Sequence, residues 1–277
     1  MTTHSTMENM TVDGVRLEYE VRGTGEPLVL SHVGLVADAF APLMDQLALG
    51  SYRLIRYHRR GHGGSTHTAG PVSIADQAAD LARLMDHLGV GRAHVAGHSI
   101  SGLIALQLAA DRPDLVGTLV LMEPPLRRHT NGPAVQAMSQ RIAVGYQRYG
   151  EGDRAGAIDS FLSPLFGQDY REILEHALPD SWAQMVHDAD MFFSIESTAM
   201  AQWPFGAAEA ARITIPVLSL VGGESHAGAI EFEQVLRTWF PQLETARAPG
   251  VNHMMHLRHP EPVAEKIAEF LARHPLR

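Results

Sequence analysis

A serine that could serve as a nucleophile lies in residues 95–102, VAGHSISG. This stretch overlaps a short segment with strand character, 92–96, and precedes an apolar helical pattern over 103–110. A serine at a strand-to-helix turn, with small residues two positions before and after it, is typical of a nucleophile elbow. The usual pattern is G-x-S-x-G, and here Ser101 takes the last glycine's position, with Gly102 directly behind it. Ser99 is therefore the candidate nucleophile.

The segments around this turn must hold it in place, and their patterns predict alternating strands and helices. Short apolar or alternating runs predict strands over 15–21, 28–30, 53–57, 118–122, 215–221 and 243–248, with 11–12 as a hairpin partner across Asp13-Gly14. Helical patterns cover 37–49, 73–88, 229–239 and 262–273, with Ser73 as an N-cap and Gly89 as a stop. Buried strands alternating with helices predict an α/β fold, with a doubly wound, mostly parallel sheet of about eight strands.

The segment 126–212 differs, because it contains helical patterns and turns without a convincing strand. Candidate helices cover 134–149, 154–162, 170–177 and 182–198. We expect a core domain formed by 1–125 and 213–277, with 126–212 inserted after the sixth strand as a helical cap. Such a cap would lie over the carboxyl edge of the sheet, where open α/β sheets bind ligands.

Composition excludes several classes of protein. The chain has 277 residues, a formal net charge of −9 and no clustered lysines or arginines, so we expect neither nucleic acid nor an anionic membrane surface as a partner. The absence of cysteine excludes disulfides and thiolate sites. Residues 1–10 are polar, and no apolar run approaches the roughly 18–20 residues of a membrane span. We expect a cytoplasmic monomer or homodimer.

Taken together, four segments resemble the α/β-hydrolase fold superfamily: 28–34, 57–65, 97–102 and 252–256. The resemblance covers nearly the whole chain and implies a serine nucleophile, an acid and a late histidine base, in that order. Ser99 and His253 match the nucleophile and the base. The resemblance implies no cofactor. His256 and His259 share a helix-like spacing with His253, but the three include no carboxylate, so we expect no metal.

The acid departs from the commonest pattern of the superfamily. The usual position falls on Ser225, and Glu224 beside it could serve if the loop shifts by one residue. The other candidate is Glu123, at the end of the strand that follows the elbow helix. Some branches, including zearalenone-type lactone hydrolases and haloalkane dehalogenases, take their acid from this strand, and the spacing here resembles the lactonase arrangement. We favour Glu123, because an acid at the end of a buried strand needs a partner such as the imidazole of His253.

The resemblance also implies an oxyanion hole made of two backbone N–H groups. Ile100 supplies one, and the turn after the strand at 28–30 supplies the other through Val33 or Gly34. The turn has His32-Val33 where the family usually has His-Gly, which leaves the choice between the two open. The glycine-rich loop 58–65 is expected to be structural.

The cap contributes large apolar side chains that could line a pocket above Ser99. The candidate pocket residues are His98, Met191, Phe192 and Trp203, and Phe193 and Phe205 lie near them in the sequence. No arginine pair or glycine-rich phosphate cradle marks the site for an anion. The expected substrate is therefore a small, uncharged or weakly polar carboxylic ester or lactone, hydrolysed through an acyl-enzyme.

Two alternatives stay open from the sequence. The same triad could cleave a carbon–carbon bond or perform other non-ester chemistry, since fold and triad do not fix the reaction. From a different class, the chain could be a non-catalytic ligand-binding protein on a hydrolase fold. A haloalkane dehalogenase is disfavoured, because its nucleophile would be an aspartate and position 99 is a serine.

Overall fold

The structure of the protein, a computed structural model, describes residues 7–276. Part of the polar segment 1–10 therefore lies outside the described residues. One eight-stranded sheet has the order β1-β2-β4-β3-β5-β6-β7-β8. The strands are β1 (Glu8–Val12), β2 (Val15–Arg22), β3 (Pro27–Ser31), β4 (Arg53–Tyr57), β5 (Ala93–His98), β6 (Val116–Met122), β7 (Val217–Gly222) and β8 (Glu244–Ala248). The predicted fold class and strand number are confirmed.

The sheet is parallel from β4 to β8 and antiparallel at its first edge. β1 and β2 form the predicted hairpin, and β2 pairs antiparallel with β4. Asp13 and Gly14 have φ angles of 51° and 77°, the left-handed conformations that a tight two-residue hairpin turn requires. The central strands β5 and β6 are buried along their whole length, which explains why, apart from His94 and His98, their residues are apolar or small on both faces rather than alternating.

Helices cover both faces of the sheet and form the segment between β6 and β7. They are α1 (Ala41–Met44), α2 (Ile74–His87), α3 (Ile100–Asp111), α4 (Pro133–Gly150), α5 (Arg154–Phe166), α6 (Tyr170–Ala177), α7 (Ser181–His187), α8 (Ser197–Gln202), α9 (Ala207–Ala210), α10 (Ala227–Trp239), α11 (Met255–Arg258) and α12 (Pro260–Arg273). Ser73 caps α2 as predicted, because its hydroxyl accepts the Asp76 N–H at 3.0 Å while the Asp76 carboxylate accepts the Ser73 N–H at 2.9 Å.

Two predicted helices were wrong in extent. The pattern over 37–49 gives only α1 and a 3₁₀ turn, Leu47–Leu49, because Pro42, in the first turn of α1, has no N–H with which to continue a helical hydrogen-bond pattern toward residue 38. The pattern over 182–198 is divided into α7, a π-helical segment (Met191–Glu196) and the start of α8. In this region the carboxylate of Asp188 accepts the Gly63 N–H at 3.0 Å, so the segment is held against a loop of the core.

The helical segment between β6 and β7 is joined to the core by a buried charged cluster. Glu196 accepts hydrogen bonds from Arg59 and from His62, and all three side chains are buried. An apolar cluster runs alongside, in which Phe161 and Phe192 pack with Val33 and other residues of the turn after β3. The cap is therefore attached to the turn and loop that border the elbow. Within residues 7–276, no helix is both long and apolar enough to cross a membrane.

Replacing Glu196 by glutamine should strongly destabilise the fold, because Arg59 would keep its charge in a buried position without a carboxylate. Breaking one side of such a pair costs roughly 3–5 kcal/mol. Urea unfolding measures this cost. The exposed pair between Lys266 and Glu269 is the matched control, and Glu269→Gln should change the free energy of unfolding by about 1 kcal/mol or less. Equal costs for the two variants would contradict this assignment.

Glu196 also predicts how stability depends on pH. Burial alone would raise the pKa of Glu196, but the charges of Arg59 and His62 and their hydrogen bonds outweigh burial and lower it from 4.5 to about 2. A carboxyl group with a lowered folded-state pKa stabilises the fold above its unfolded pKa, and this contribution is lost as the pH falls toward 2. Between these values the free energy of unfolding should depend less steeply on pH in Glu196→Gln than in the wild type. Parallel curves would show that Glu196 does not titrate this way.

Candidate active site

Ser99 forms the turn between β5 and α3 on its own. β5 ends at His98 and α3 begins at Ile100, and Ser99 has φ 54° and ψ −124°. A non-glycine residue with positive φ is strained unless its surroundings hold it there. The Ser99 N–H donates to the Met122 carbonyl at 2.8 Å, and the Ser99 carbonyl accepts the Gly102 N–H at 2.8 Å. The backbone therefore fixes the hydroxyl group at the carboxyl edge of the sheet.

The small residues around Ser99 are required by close contacts. A Cβ atom on Gly97 would lie 2.2 Å from the Ser101 carbonyl oxygen, and one on Gly102 would lie 2.8 Å from the Cβ of Pro124. Ser101, at the position of the pattern's last glycine, donates its hydroxyl to the His32 carbonyl at 2.5 Å. This hydrogen bond joins the elbow to the turn after β3.

The turn after β3 and the start of α3 offer unused backbone donors. Within residues 7–276, the N–H groups of Val33, Gly34 and Ile100 donate no hydrogen bond. Gly34 lies beside Ile100, since a Cβ on Gly34 would be 3.7 Å from the Cγ2 of Ile100. The Arg59 N–H donates to Nε2 of His32 at 3.0 Å, so the His32 proton resides on Nδ1 and is donated to the Val33 carbonyl at 2.7 Å. These contacts hold the turn that carries the candidate oxyanion donors.

Glu123 is the carboxylate that the structure brings to His253. It follows β6 directly, has φ 48°, and is buried. Its Oε2 accepts a hydrogen bond from Nδ1 of His253 at 2.6 Å. Its Oε1 accepts the Gly222 N–H at 2.9 Å and the Ser225 hydroxyl at 2.5 Å. Ser225, at the usual position of the acid, thus acts as a hydrogen-bond donor to the acid.

These contacts decide the charge of Glu123. Burial alone would raise the pKa of this carboxyl group, but the hydrogen bonds and charge of His253, with the hydrogen bonds from Ser225 and Gly222, lower it below its ordinary value. Glu123 is therefore ionised at neutral pH. Glu224, the alternative acid, is exposed and makes no hydrogen bond or ion pair with His253 within residues 7–276.

His253 lies in the loop after β8, which is anchored by its neighbour Asn252. The Asn252 side-chain amide donates to the Phe166 carbonyl at 2.6 Å, and its oxygen accepts the Met254 N–H at 2.9 Å. Because Nδ1 of His253 donates to Glu123, Nε2 remains available to accept a proton. Ser99 and His253 line the same cavity, although within the described residues they form no direct hydrogen bond. Nucleophile–base hydrogen bonds are often long without substrate and tighten in the complex.

Two buried histidines lie behind His253. The ring of His98 is 4.6 Å from that of His253 and 4.6 Å from that of His256, and Phe40 stacks on His256 at 4.5 Å. Burial and the nearby histidines lower the pKa of His98 well below 6.5 and that of His256 to about 3. Both rings are therefore neutral. His98 packs against the ring of His253, and His256 packs against His98 and Phe40.

The cavity above Ser99 has a volume of about 40 Å³ and a mostly apolar wall. Its polar lining residues are Ser99, Glu123, Arg127, Tyr146, His226 and His253. Of the four predicted pocket residues, Phe192 lines this cavity and the other three lie elsewhere. His98 is behind His253, Met191 packs against Gly61, and the Trp203 indole donates to Gln107 at 2.8 Å. Apolar character alone does not show whether a cap side chain faces the cavity or the core of the cap, because both contain the same residue types.

Arg127, Tyr146 and His226 were not among the sequence candidates. Two of them could have been found from their positions in the sequence, shortly after predicted strands. Arg127 lies shortly after the end of β6, and His226 follows Ser225 after β7, so both are close to the carboxyl edge of the sheet. Tyr146, on α4 of the cap, carries no such signal, because its place depends on how the cap packs on the core.

Two groups of side chains could offer ligands to a metal ion. Glu123, His226 and His253 form one group and His67, His187 and Asp188 the other, with the ligand atoms of each group within 4.8 Å of one another. His259, one of the three histidines with helix-like spacing, belongs to neither group. In the first group, both carboxylate oxygens of Glu123 already accept hydrogen bonds, as described above.

Comparison with known proteins connects this geometry to relatives. A protein from Acinetobacter baylyi, (E)-2-((N-methylformamido)methylene)succinate hydrolase, is 26% identical over 93% of this chain and 94% of its own length. The acetyltransferase component of the acetoin cleaving system of Cupriavidus necator is 29% identical over 70% of this chain. The chain spans less than half of the length of several curated relatives, 49% for that protein and 40% for a RutD protein of Azorhizobium caulinodans.

Solved structures share the fold over nearly the whole chain. An alpha/beta hydrolase from Sphaerobacter thermophilus is 26% identical, with a TM-score of 0.74, covering 95% of this chain and 100% of its own. The enol-lactonase of Burkholderia xenovorans is 22% identical, with a TM-score of 0.77, covering 96% of this chain and 100% of its own. The family model described as the alpha/beta hydrolase fold matches residues 27–260. This chain therefore belongs to the alpha/beta hydrolase fold family.

Proposed function

We propose that this protein is a serine hydrolase that cleaves a carboxylic ester or lactone through an acyl-enzyme on Ser99. The observation that carries the proposal is the hydrogen bond between Glu123 and His253, in a cavity that Ser99 also lines. A serine hydroxyl is a poor nucleophile at neutral pH, so it needs a neighbouring base. In this cavity, His253 is placed to be that base.

In the first half of the reaction, Ser99 Oγ attacks the ester carbonyl carbon while Nε2 of His253 takes the hydroxyl proton. The ionised Glu123 stabilises the imidazolium that forms and keeps its Nδ1 proton in place. The carbonyl oxygen gains negative charge in the tetrahedral intermediate. The free N–H groups of Ile100 and of Val33 or Gly34 stabilise this charge. The carbon–oxygen bond then breaks, and His253 returns the proton to the leaving alcohol.

In the second half, water replaces the leaving group. His253 takes a proton from the water molecule while the water oxygen attacks the acyl carbon. The bond between this carbon and Ser99 Oγ then breaks, and His253 returns the proton to Oγ, which releases the carboxylic acid and restores the Ser99 hydroxyl. For a lactone, the alcohol and the acid remain in one molecule. The Acinetobacter baylyi relative is named as a hydrolase and aligns over 93% of this chain, which supports hydrolysis as the reaction class.

A fluorophosphonate probe tests the nucleophile directly. Folded wild-type protein should form a covalent adduct on Ser99, located by peptide mass spectrometry, because His253 activates this hydroxyl. Ser99→Ala should abolish labelling and lower turnover of 4-nitrophenyl acetate to near the uncatalysed rate. Ser51→Ala, which removes an exposed hydroxyl, is the control and should label as the wild type does. Folded wild-type protein that fails to react would refute the proposed function and favour a ligand-binding role.

Matched variants test the acid. Glu123→Gln should lower kcat roughly a thousand-fold or more, because an amide stabilises neither the required tautomer nor the imidazolium of His253. Glu224→Gln changes an exposed carboxylate that does not contact His253, and it should retain near wild-type turnover. Circular dichroism spectra of both variants check that folding is retained. A severe loss in Glu224→Gln, with Glu123→Gln active, would overturn the assignment.

A further inference from the structure

One charged side chain in the cavity has no part in the reaction described above. Arg127 lies shortly after Glu123 in the sequence and lines the same cavity as Ser99 and His253. It is half-buried, and burial lowers the pKa of Arg127, although an arginine stays positively charged at neutral pH. A guanidinium group that is partly withdrawn from water is stabilised by a negative partner.

Arg127 has no such partner in the protein. Within residues 7–276, its guanidinium forms no hydrogen bond and no ion pair. The buried arginines elsewhere in the chain are paired: Arg56 donates to Glu20 at 2.6 Å, and Arg59 donates to Glu196. Even the adjacent Arg128 donates to two backbone carbonyls, one of them at 2.6 Å. Arg127, which lines the cavity of the candidate active site, has no comparable partner among the described residues.

The charged groups around the cavity do not neutralise Arg127. Glu123 is the one carboxylate among the cavity-lining residues within 7–276, and its two oxygens are occupied by His253, Gly222 and Ser225. Burial, His253 and the positive charges of Arg127 and Arg141, against the opposing charge of Glu123, lower the pKa of His226 to about 4. His226 is therefore neutral, and Arg127 remains without an ion-pair partner among the described residues of the cavity wall.

A second possible donor lines the same cavity as Arg127. This is Tyr146, on α4 of the cap. The Tyr146 hydroxyl donates no hydrogen bond within residues 7–276. A planar guanidinium and a free hydroxyl in one cavity are suited to a carboxylate, which accepts two parallel N–H bonds and has lone pairs left for an O–H donor.

We infer that Arg127 binds a carboxylate of the substrate, with Tyr146 as a second donor, so that the enzyme prefers esters or lactones carrying a separate ionised carboxyl group. This inference rests on the proposed serine hydrolase function of the same cavity. It replaces the uncharged substrate expected from the sequence, where no arginine pair was evident. Arg127 acts in specificity, because it holds the part of the substrate that does not react.

A matched pair of substrates tests the inference. 4-Nitrophenyl hydrogen glutarate carries a free carboxylate, and its methyl ester is the neutral twin with the same leaving group. The wild type should hydrolyse the anion with a kcat/KM roughly 10- to 100-fold higher, the factor expected for a charge-assisted hydrogen bond. Equal values for the two esters, or a preference for the neutral one, would overturn the inference while leaving the serine hydrolase function intact.

Variants assign the preference to Arg127. Arg127→Gln should lower kcat/KM for the anionic ester roughly 10- to 100-fold and leave the neutral ester within about three-fold, so that the preference disappears. Arg127→Lys keeps the charge without the planar guanidinium group. Its kcat/KM for the anionic ester should lie between those of the wild type and Arg127→Gln. Arg128→Gln removes the same charge one residue away and should keep the wild-type preference. Loss of activity on both esters alike in Arg127→Gln would identify a structural role and contradict the inference.

Binding of glutarate itself separates this inference from catalysis. Glutarate contains no ester, so its Kd, measured by isothermal titration calorimetry, does not depend on whether Ser99 reacts. We expect Arg127→Gln to weaken glutarate binding at least ten-fold and Ser99→Ala to leave it within about three-fold. Wild-type protein that does not bind glutarate, or binds it no better than Arg127→Gln does, would overturn the carboxylate site even if esters are hydrolysed.

Discussion

The arrangement of the site depends on the buried hydrogen bond between Glu123 and His253. At 2.6 Å and away from solvent, it joins the end of β6 to the loop after β8. An ionised carboxylate in this position would be costly alone, and Gly222 and Ser225 complete its set of donors. The same bond fixes the tautomer of His253 and directs Nε2 away from the acid, which is the condition for taking a proton from Ser99.

Further hydrogen bonds join the elements around the site. Ser101 donates to the His32 carbonyl, and Arg59 to Glu196, so the elbow, the turn after β3 and the cap are connected. Arg127 differs from Arg59, because its guanidinium has no partner within residues 7–276. It lines the cavity of the candidate active site, where a bound molecule can supply a partner, which is why the unpaired charge there points to a ligand.

Much of the fold could be predicted because buried parallel strands leave a strong trace in sequence. β4 matches its predicted range, 53–57, and the elbow was located from its small residues together with the strand pattern before it and the helical pattern after it. The failures have a common cause, since tertiary contacts override local pattern. Helical periodicity over 182–198 could not show that Asp188 accepts a hydrogen bond from Gly63 or that a π-helical segment follows. The pocket residues were predicted incompletely for the same reason. An apolar cap residue can face either the core of the cap or the cavity, and a single arginine in a loop, Arg127, produces no periodic pattern.

The position of Glu123 has a consequence for how the molecule could be divided. Both Ser99 and Glu123 precede the cap in the chain, on neighbouring strands joined by backbone hydrogen bonds, while His253 follows the cap. A cut between α4 and α9 would leave the proposed nucleophile and acid on the first fragment and the proposed base on the second. Each fragment alone would lack part of the proposed proton relay, so turnover by a mixture of the two would report their reassembly.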